Sequence, residues 1–234
     1  MIAPVVETHD DIRVVRDDLF PGGTKARFVP ALFEAADEVV YASPAEGGAQ
    51  TALAHVAAAL GKRATIFVAR RAERHPRTRE AARLGARIEE VAPGYLGVVQ
   101  ARARAYAART GALLAPFGMD LPGAIATITE AARATGEEPD EVCCAAGSGV
   151  LMRALAAAWP RARRFAVQIG RALKPADVAG AAIVVHPLSF GQPCKSPAPF
   201  PSDPHYDAKA WQTCRARRGA GRVLFWSVAG PARP

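Results

Sequence analysis

Short apolar runs alternate along this chain with longer segments in which apolar residues recur every three or four positions. Residues 38–42, 64–69, 87–91, 112–115, 140–145, 165–169 and 181–185, with a last run near 222–226, are short, apolar or β-branched, and closed by Gly, Pro or charge, which predicts strands. Between them, 24–36, 50–60, 76–84, 96–109, 122–135 and 150–159 carry helical spacing. Alternation of helices with strands that are apolar throughout implies an α/β protein with mostly parallel sheets covered on both faces. Ligands of such sheets sit at the carboxyl ends of strands, in strand-to-helix loops.

Three loops carry candidate chemistry. After the first predicted strand comes Ser43-Pro44-Ala45-Glu46-Gly47-Gly48-Ala49-Gln50-Thr51. After 140–145 comes Ala146-Gly147-Ser148-Gly149, opening a helix, where free amides, the helix dipole and a small hydroxyl suit a phosphate or other anion. A tight strand-to-helix turn would use the same glycines. The third loop, 187–204, is proline-rich and leads into DPHYDAKAW.

A lysine stands apart from these loops. In RDDLFPGGTKAR, Gly22 and Gly23 allow a tight turn, Thr24 is the expected N-cap, and Phe28, Leu32 and Phe33 recur at helical spacing. Lys25 would then lie in a first helical turn, where the macrodipole disfavours a cation. An amine whose charged form is disfavoured is a better nucleophile toward carbonyls, including a cofactor aldehyde. The plainer alternative is an exposed lysine after a turn, and this segment alone leaves both open.

Composition narrows the classes. Half of the 234 residues are hydrophobic, yet no apolar run is long enough to span a membrane. The start, MIAPVVETHDD, lacks a basic stretch followed by an apolar core, so no secretory signal is expected. Cys143, Cys144, Cys194 and Cys214 lack paired metal-ligand spacing; reduced thiols, no metal and a cytoplasmic location are expected. The net charge of +8 invites a nucleic-acid partner. However, the clusters Arg70-Arg71 with Arg74, and Arg161 with Arg163-Arg164, have no interleaved aromatics, which favours a solvated face.

A lysine able to form an imine, a phosphate loop far along the chain and α/β layers together suggest pyridoxal phosphate. RDDLFPGGTKAR resembles the lysine segment of the fold type II (tryptophan synthase β-like) pyridoxal-phosphate-dependent enzymes. It is most similar to the branch of 1-aminocyclopropane-1-carboxylate (ACC) deaminase and D-cysteine desulfhydrase, which carries Gly-Gly-Asn-Lys there. Asp203-Pro204-His205-Tyr206-Asp207-Ala208-Lys209-Ala210 resembles that branch's Asp-Pro-x-Tyr-x-Gly-Lys-Ala, and Val223-Leu224-Phe225-Trp226-Ser227-Val228-Ala229-Gly230 its penultimate strand and Gly-rich turn. Gly147, Ser148 and Gly149 fall where the family has its phosphate loop.

The resemblance implies two three-layer α/β/α parts: a larger cofactor-binding domain of residues 1–37 and 119–234, and a smaller inserted one of 38–118. It implies that Lys25 holds the cofactor as a Schiff base and shuttles the substrate α-proton. Gly147, Ser148 and Gly149 would bind the phosphate, and Tyr206 would be catalytic, near the substrate. Asp207 aligns with the acidic residue facing the pyridine nitrogen, with Ser227 as its rival for that contact. The implied function is a lyase or deaminase acting on a small amino acid, in a homodimer.

The departures bear on the substrate. Gly48 stands where the family has an asparagine beside the cofactor's ring hydroxyl, and Glu46 brings negative charge to a carboxylate-binding loop. The substrate carboxylate would fall to Ser43, Gln50 and Thr51. Val150 and Leu151 replace a glycine and a hydroxyl of the phosphate loop, and the chain is shorter than is usual for the family. The alternatives are a reduced family member that binds the cofactor without ordinary turnover and, further off, an arginine-rich nucleic-acid binder. His186 and His205 are candidate acid-base helpers, though isolated histidines beside prolines are more often structural.

Overall fold

The computed structural model describes residues 2–233. In chain order the elements are β1 (Val5–His9), β2 (Ile12–Arg16), α1 (Pro30–Glu34), β3 (Glu38–Ala42), α2 (Ala49–Ala59), β4 (Arg63–Ala69), α3 (Pro76–Arg83) and β5 (Arg87–Val91). There follow α4 (Leu96–Thr110), β6 (Leu113–Leu114), α5 (Ala124–Arg133), β7 (Glu141–Ala146), α6 (Val150–Ala158), β8 (Arg163–Gln168), β9 (Ala182–Val185), α7 (Asp207–Arg217) and β10 (Val223–Ser227). The chain divides into two compact units. One holds residues 2–24 and Pro122–Pro231, the other Lys25–Leu121 and residues 232–233.

The first unit is built on a six-stranded sheet of order β1-β2-β10-β7-β8-β9, parallel except for the β1-β2 pair. Every residue of β10 and β7 is buried, as expected of central strands covered on both faces. On one face Trp211 of α7 meets Phe225 of β10 and Phe200 edge-on, with ring centroids 5.4 and 5.1 Å away. Cys143 and Cys214 fill the same core as free thiols. Burying each such large apolar side chain is worth roughly 1.5–3 kcal/mol.

The second unit carries a parallel sheet of order β5-β4-β3-β6. On α4, Val99, Ala103 and Ala107 recur every fourth residue and pack on Val40, Ala42 and Phe67. Gly111, at φ 75°, ends that helix in the left-handed conformation that glycine adopts without steric cost. No helix among the described residues is long and apolar enough to cross a membrane.

The α/β alternation is as expected from the sequence, and four local expectations are corrected. β1 and β2 form a hairpin where no strand was expected. Its two-residue turn, Asp10-Asp11, holds both residues at positive φ (49° and 59°), the geometry that matches strand twist, and aspartate tolerates it without the usual glycine. The helix expected over 24–36 is split into a 3-10 turn, Thr24–Arg27, and the short α1, because Pro30 has no amide to continue the ladder. The strand expected over 112–115 shrinks to Leu113–Leu114. Finally, α7 occupies a stretch for which no helix was expected. It starts where the Asp203 carboxylate takes the His205 amide (2.7 Å) and the Asp203 carbonyl takes those of Tyr206 (3.2 Å) and Ala208 (3.0 Å).

Candidate functional site

The turn before Lys25 is fastened to the end of β10. The Thr24 amide donates to the Val228 carbonyl (3.0 Å), and the Trp226 indole donates to the Thr24 hydroxyl (3.0 Å). Thr24 is therefore a tether rather than the expected N-cap. Gly23 is at φ 70°, and a Cβ there would lie 2.2 Å from the Val228 carbonyl oxygen, so only glycine permits this approach. At the other end of the segment, buried Arg16 grips Asp18 with two hydrogen bonds of 2.9 Å. Lys25 follows as the first residue of the second unit, half-buried, its carbonyl accepting the amides of Phe28 (3.2 Å) and Val29 (3.1 Å). It sits in a four-residue 3-10 turn, too short for the helix-dipole argument to apply.

In the first unit, β7 delivers Gly147, Ser148 and Gly149 to the start of α6. The two glycines serve different ends. Gly149, at φ 90°, lies under the Pro175–Val178 turn, where a Cβ would come 2.0 Å from the Asp177 carbonyl oxygen. Gly147 faces Tyr206: its amide donates to the tyrosine hydroxyl, and a Cβ would lie 3.3 Å from that oxygen. Burial, with the Asp207 carboxyl beside it, pushes the Tyr206 hydroxyl's pKa upward. The Ser148 carbonyl accepts from Arg171 Nη2 (3.2 Å).

Asp207, the first residue of α7, is fully buried. Its Oδ2 accepts the amides of Val228 (3.2 Å) and Ala229 (3.0 Å), in the turn after Ser227. Among the described residues its Oδ1 has no partner, and neither does the buried Ser227 hydroxyl. A buried acceptor left unpaired is costly, so these atoms mark a place fitted to a donor. A protonated aromatic ring nitrogen would supply one, which makes this corner compatible with a pyridine ring.

Burial lifts the Asp207 pKa well above the ordinary carboxyl value, against the pull of the two amides. The folded chain thus holds this proton after the unfolded chain has released it. The contribution of Asp207 to stability is therefore largest below the ordinary carboxyl pKa and is lost as pH rises, up to the folded-state pKa. In cofactor-free protein, the urea midpoint of Asp207→Asn relative to the parent should climb steadily from pH 4 to 8. A difference independent of pH would show that this carboxyl does not titrate as described.

The loop 43–51 of the second unit is less open than expected. The Ser43 hydroxyl donates to the Pro44 carbonyl (2.8 Å), and Thr51 donates to Gly48 (2.9 Å). Gln50 Nε2 donates to the Ala45 carbonyl (2.8 Å), which fixes the amide's orientation and leaves Oε1 buried without a partner among the described residues. The side-chain donors assigned to a substrate carboxylate are thus engaged by their own loop. Gly48 caps α2 at φ −69°, a conformation open to any residue. Glu46 is buried and paired with Arg71 (2.7 Å), so its charge is compensated. His186 Nδ1 accepts the Leu188 amide (3.1 Å), and His205 Nδ1 lies 3.1 Å from the Phe190 carbonyl. Sequence reading missed the tether through Thr24, Trp226 and Val228, whose only trace was a tryptophan ending an apolar run.

Residues 7–211 match the family model for pyridoxal-phosphate dependent enzyme. No curated protein gives a significant match. Among solved structures, an ACC deaminase homologue superposes with a TM-score of 0.80 at 18% identity, over 98% of this chain and 90% of that one. O-ureido-L-serine synthase gives 0.69 at 18% identity over 94% and 84%, and maize serine racemase 0.69 at 15% over 99% and 88%. With the matched stretch running from β1 into α7, the chain belongs to the pyridoxal-phosphate dependent enzymes, has the fold type II architecture, and its cofactor is pyridoxal 5′-phosphate.

Proposed function

We propose that the protein is a lyase or deaminase acting on a small amino acid by α-proton abstraction or β-elimination, with Lys25 as the amine that joins the cofactor aldehyde. The observation that carries this reading is the fastened turn. Thr24, held by Val228 and Trp226, fixes the residue before Lys25 in a segment where the two glycines take positive φ. Such preorganisation suits a nucleophile that must return to one position each cycle.

Each of the other residues has a role in this reading. The amides of Gly147, Ser148 and Gly149 would hold the phosphate, and Asp207 Oδ1 or the Ser227 hydroxyl the ring nitrogen. Gly48 would lie near the ring hydroxyl. When bound, the cofactor supplies an electron sink for charge developing at the substrate α-carbon. Lys25 would take and return the α-proton, and Tyr206 would line the substrate's side. Because Ser43, Gln50 and Thr51 bond within their own loop, a substrate carboxylate would rely on the backbone amides that open α2, with these side chains rearranging to assist. The deaminase homologue, the O-ureido-L-serine synthase and the serine racemase support a small amino acid as substrate. A cytoplasmic homodimer completes the proposal.

The same engaged side chains favour a second reading, a family member that binds cofactor without ordinary turnover. Adding pyridoxal 5′-phosphate to purified protein should raise a visible absorption band. D- and L-serine, D-cysteine and ACC are then screened for a shift of that band and for release of ammonia or a keto acid. A shift with release supports the lyase or deaminase; a band that no amino acid moves supports the binder. Failure to form any band would overturn both.

A further inference from the structure

The second unit carries a cavity of about 510 Å³ lined by Arg74, Arg79, Arg83 and Arg233, with Pro76, Ala82 and Ala232 between them. None of these residues has a role in the cofactor site. We propose that this cavity binds a phosphorylated small molecule of nucleotide size.

The charge balance points to an anion. Glu90 is taken by Arg74 (2.6 Å). Glu80 lies 3.6 Å from Arg77 and accepts the Arg233 amide (3.2 Å). Among the described residues no carboxylate pairs with the guanidinium of Arg79, Arg83 or Arg233. Arg79 and Arg83 are four apart on α3 and both exposed, so two like charges share one solvent-facing side and raise a positive potential there that attracts an anion. Half-buried His55 responds to the same field. Burial, and secondarily Arg233, hold its pKa below the ordinary value, with Glu80 pulling the other way.

The arginines are also held in place. Arg79 Nη1 donates to the Arg74 carbonyl (2.8 Å), and Arg83 Nη2 to the Arg233 carbonyl (2.6 Å). Each guanidinium has five N–H donors, so each keeps others for a ligand. Their planar forks match phosphate oxygens, while the proline and alanines offer apolar surface to an organic moiety. The volume lies within the range of small-molecule sites, about 300–1,000 Å³. The charges converge on one cavity without interleaved aromatics, which favours a compact anion over a nucleic-acid strand.

Calorimetric titration of the cofactor-loaded protein with ADP, ATP, pyrophosphate, adenosine and a short single-stranded oligonucleotide tests this. ADP or ATP should bind saturably at one site, adenosine far more weakly, and salt should weaken the binding. Arg79→Ala and Arg83→Ala should each lower nucleotide affinity about tenfold, and Arg79→Lys by less. Exposed Arg102 on α4 supplies a control, Arg102→Ala, expected to leave affinity unchanged. The cofactor absorption band, retained in every variant, certifies folding. Absence of saturable binding, or affinity untouched by both alanine variants, would overturn the proposal. So would an oligonucleotide that binds tighter than either nucleotide.

Discussion

A Lys25→Ala protein should fold and take up pyridoxal 5′-phosphate only reversibly, releasing it on denaturation even after borohydride treatment. The parent chain, treated alike, should yield one phosphopyridoxyl peptide containing Lys25. The expectation separates backbone from side chain. The Lys25 carbonyl accepts the amides of Phe28 and Val29, and these bonds survive truncation to alanine. What is lost is the amine, and with it the carbonyl capture and α-proton shuttle proposed for Lys25. Any turnover should fall by about 10³-fold or more, the scale of losing a nucleophile that also acts as acid and base. Lys25→Arg, which keeps a cation but no usable nucleophile, should do no better. Lys209 is the rival to exclude: it is fully buried in the first unit, with Nζ donating to the Ser189 carbonyl (2.7 Å). A label found on Lys209 and retained in Lys25→Ala would move the catalytic centre and refute the assignment.

The second large effect distinguishes the two glycines of the 147–149 loop. Gly149→Ala should destabilise the protein by about 3 kcal/mol or more. Roughly 1–2 kcal/mol comes from forcing alanine into left-handed backbone at φ 90°. A further 1–3 kcal/mol, roughly, comes from a Cβ lying 2.0 Å from the Asp177 carbonyl, a backbone atom that yields only if the whole Pro175–Val178 turn shifts. Against a typical total of about 5–15 kcal/mol this is severe. Gly147→Ala meets only the tip of a tyrosine side chain at 3.3 Å and should cost under about 1 kcal/mol. Its effect belongs to cofactor affinity, because the added Cβ would stand in the proposed phosphate loop against the Tyr206 hydroxyl. Denaturant melts of cofactor-free protein, paired with cofactor titrations, read both quantities. Equal destabilisation by the two variants would contradict this division of labour.

The central strands were legible because burial on both faces leaves a continuous apolar run, as in Val223-Leu224-Phe225-Trp226 and Val142-Cys143-Cys144-Ala145. β1 and β2 were hidden for the opposite reason. Polar residues interrupt them, and their turn is made by two aspartates instead of a glycine pair. α7 was obscured by small residues and by a start set by Asp203 backbone bonds rather than by a recognisable cap. At the candidate site, spacing singled out Lys25, and resemblance added Tyr206, Asp207 and Ser227. They could not show which polar atoms are already engaged. Only coordinates reveal that Gln50 spends its donor on Ala45 while Asp207 keeps an oxygen in reserve. Hydrogen-bond balance is a property of three-dimensional neighbours, and composition leaves little trace of it.

The position of β10 in its sheet has a consequence for how the protein is made. Strand β2 pairs with β10, far along the sequence from it, so the first unit's sheet cannot close until β10 has been synthesised. The stretch Lys25–Leu121 is continuous, and its sheet can form while the rest is still being translated. Closing so long a loop is slow compared with local pairing. Thr24 gains its bonds to Trp226 and Val228 only with that last step. A growing chain therefore carries Lys25 long before the turn beside it can be fastened, which happens only once β10 has been made.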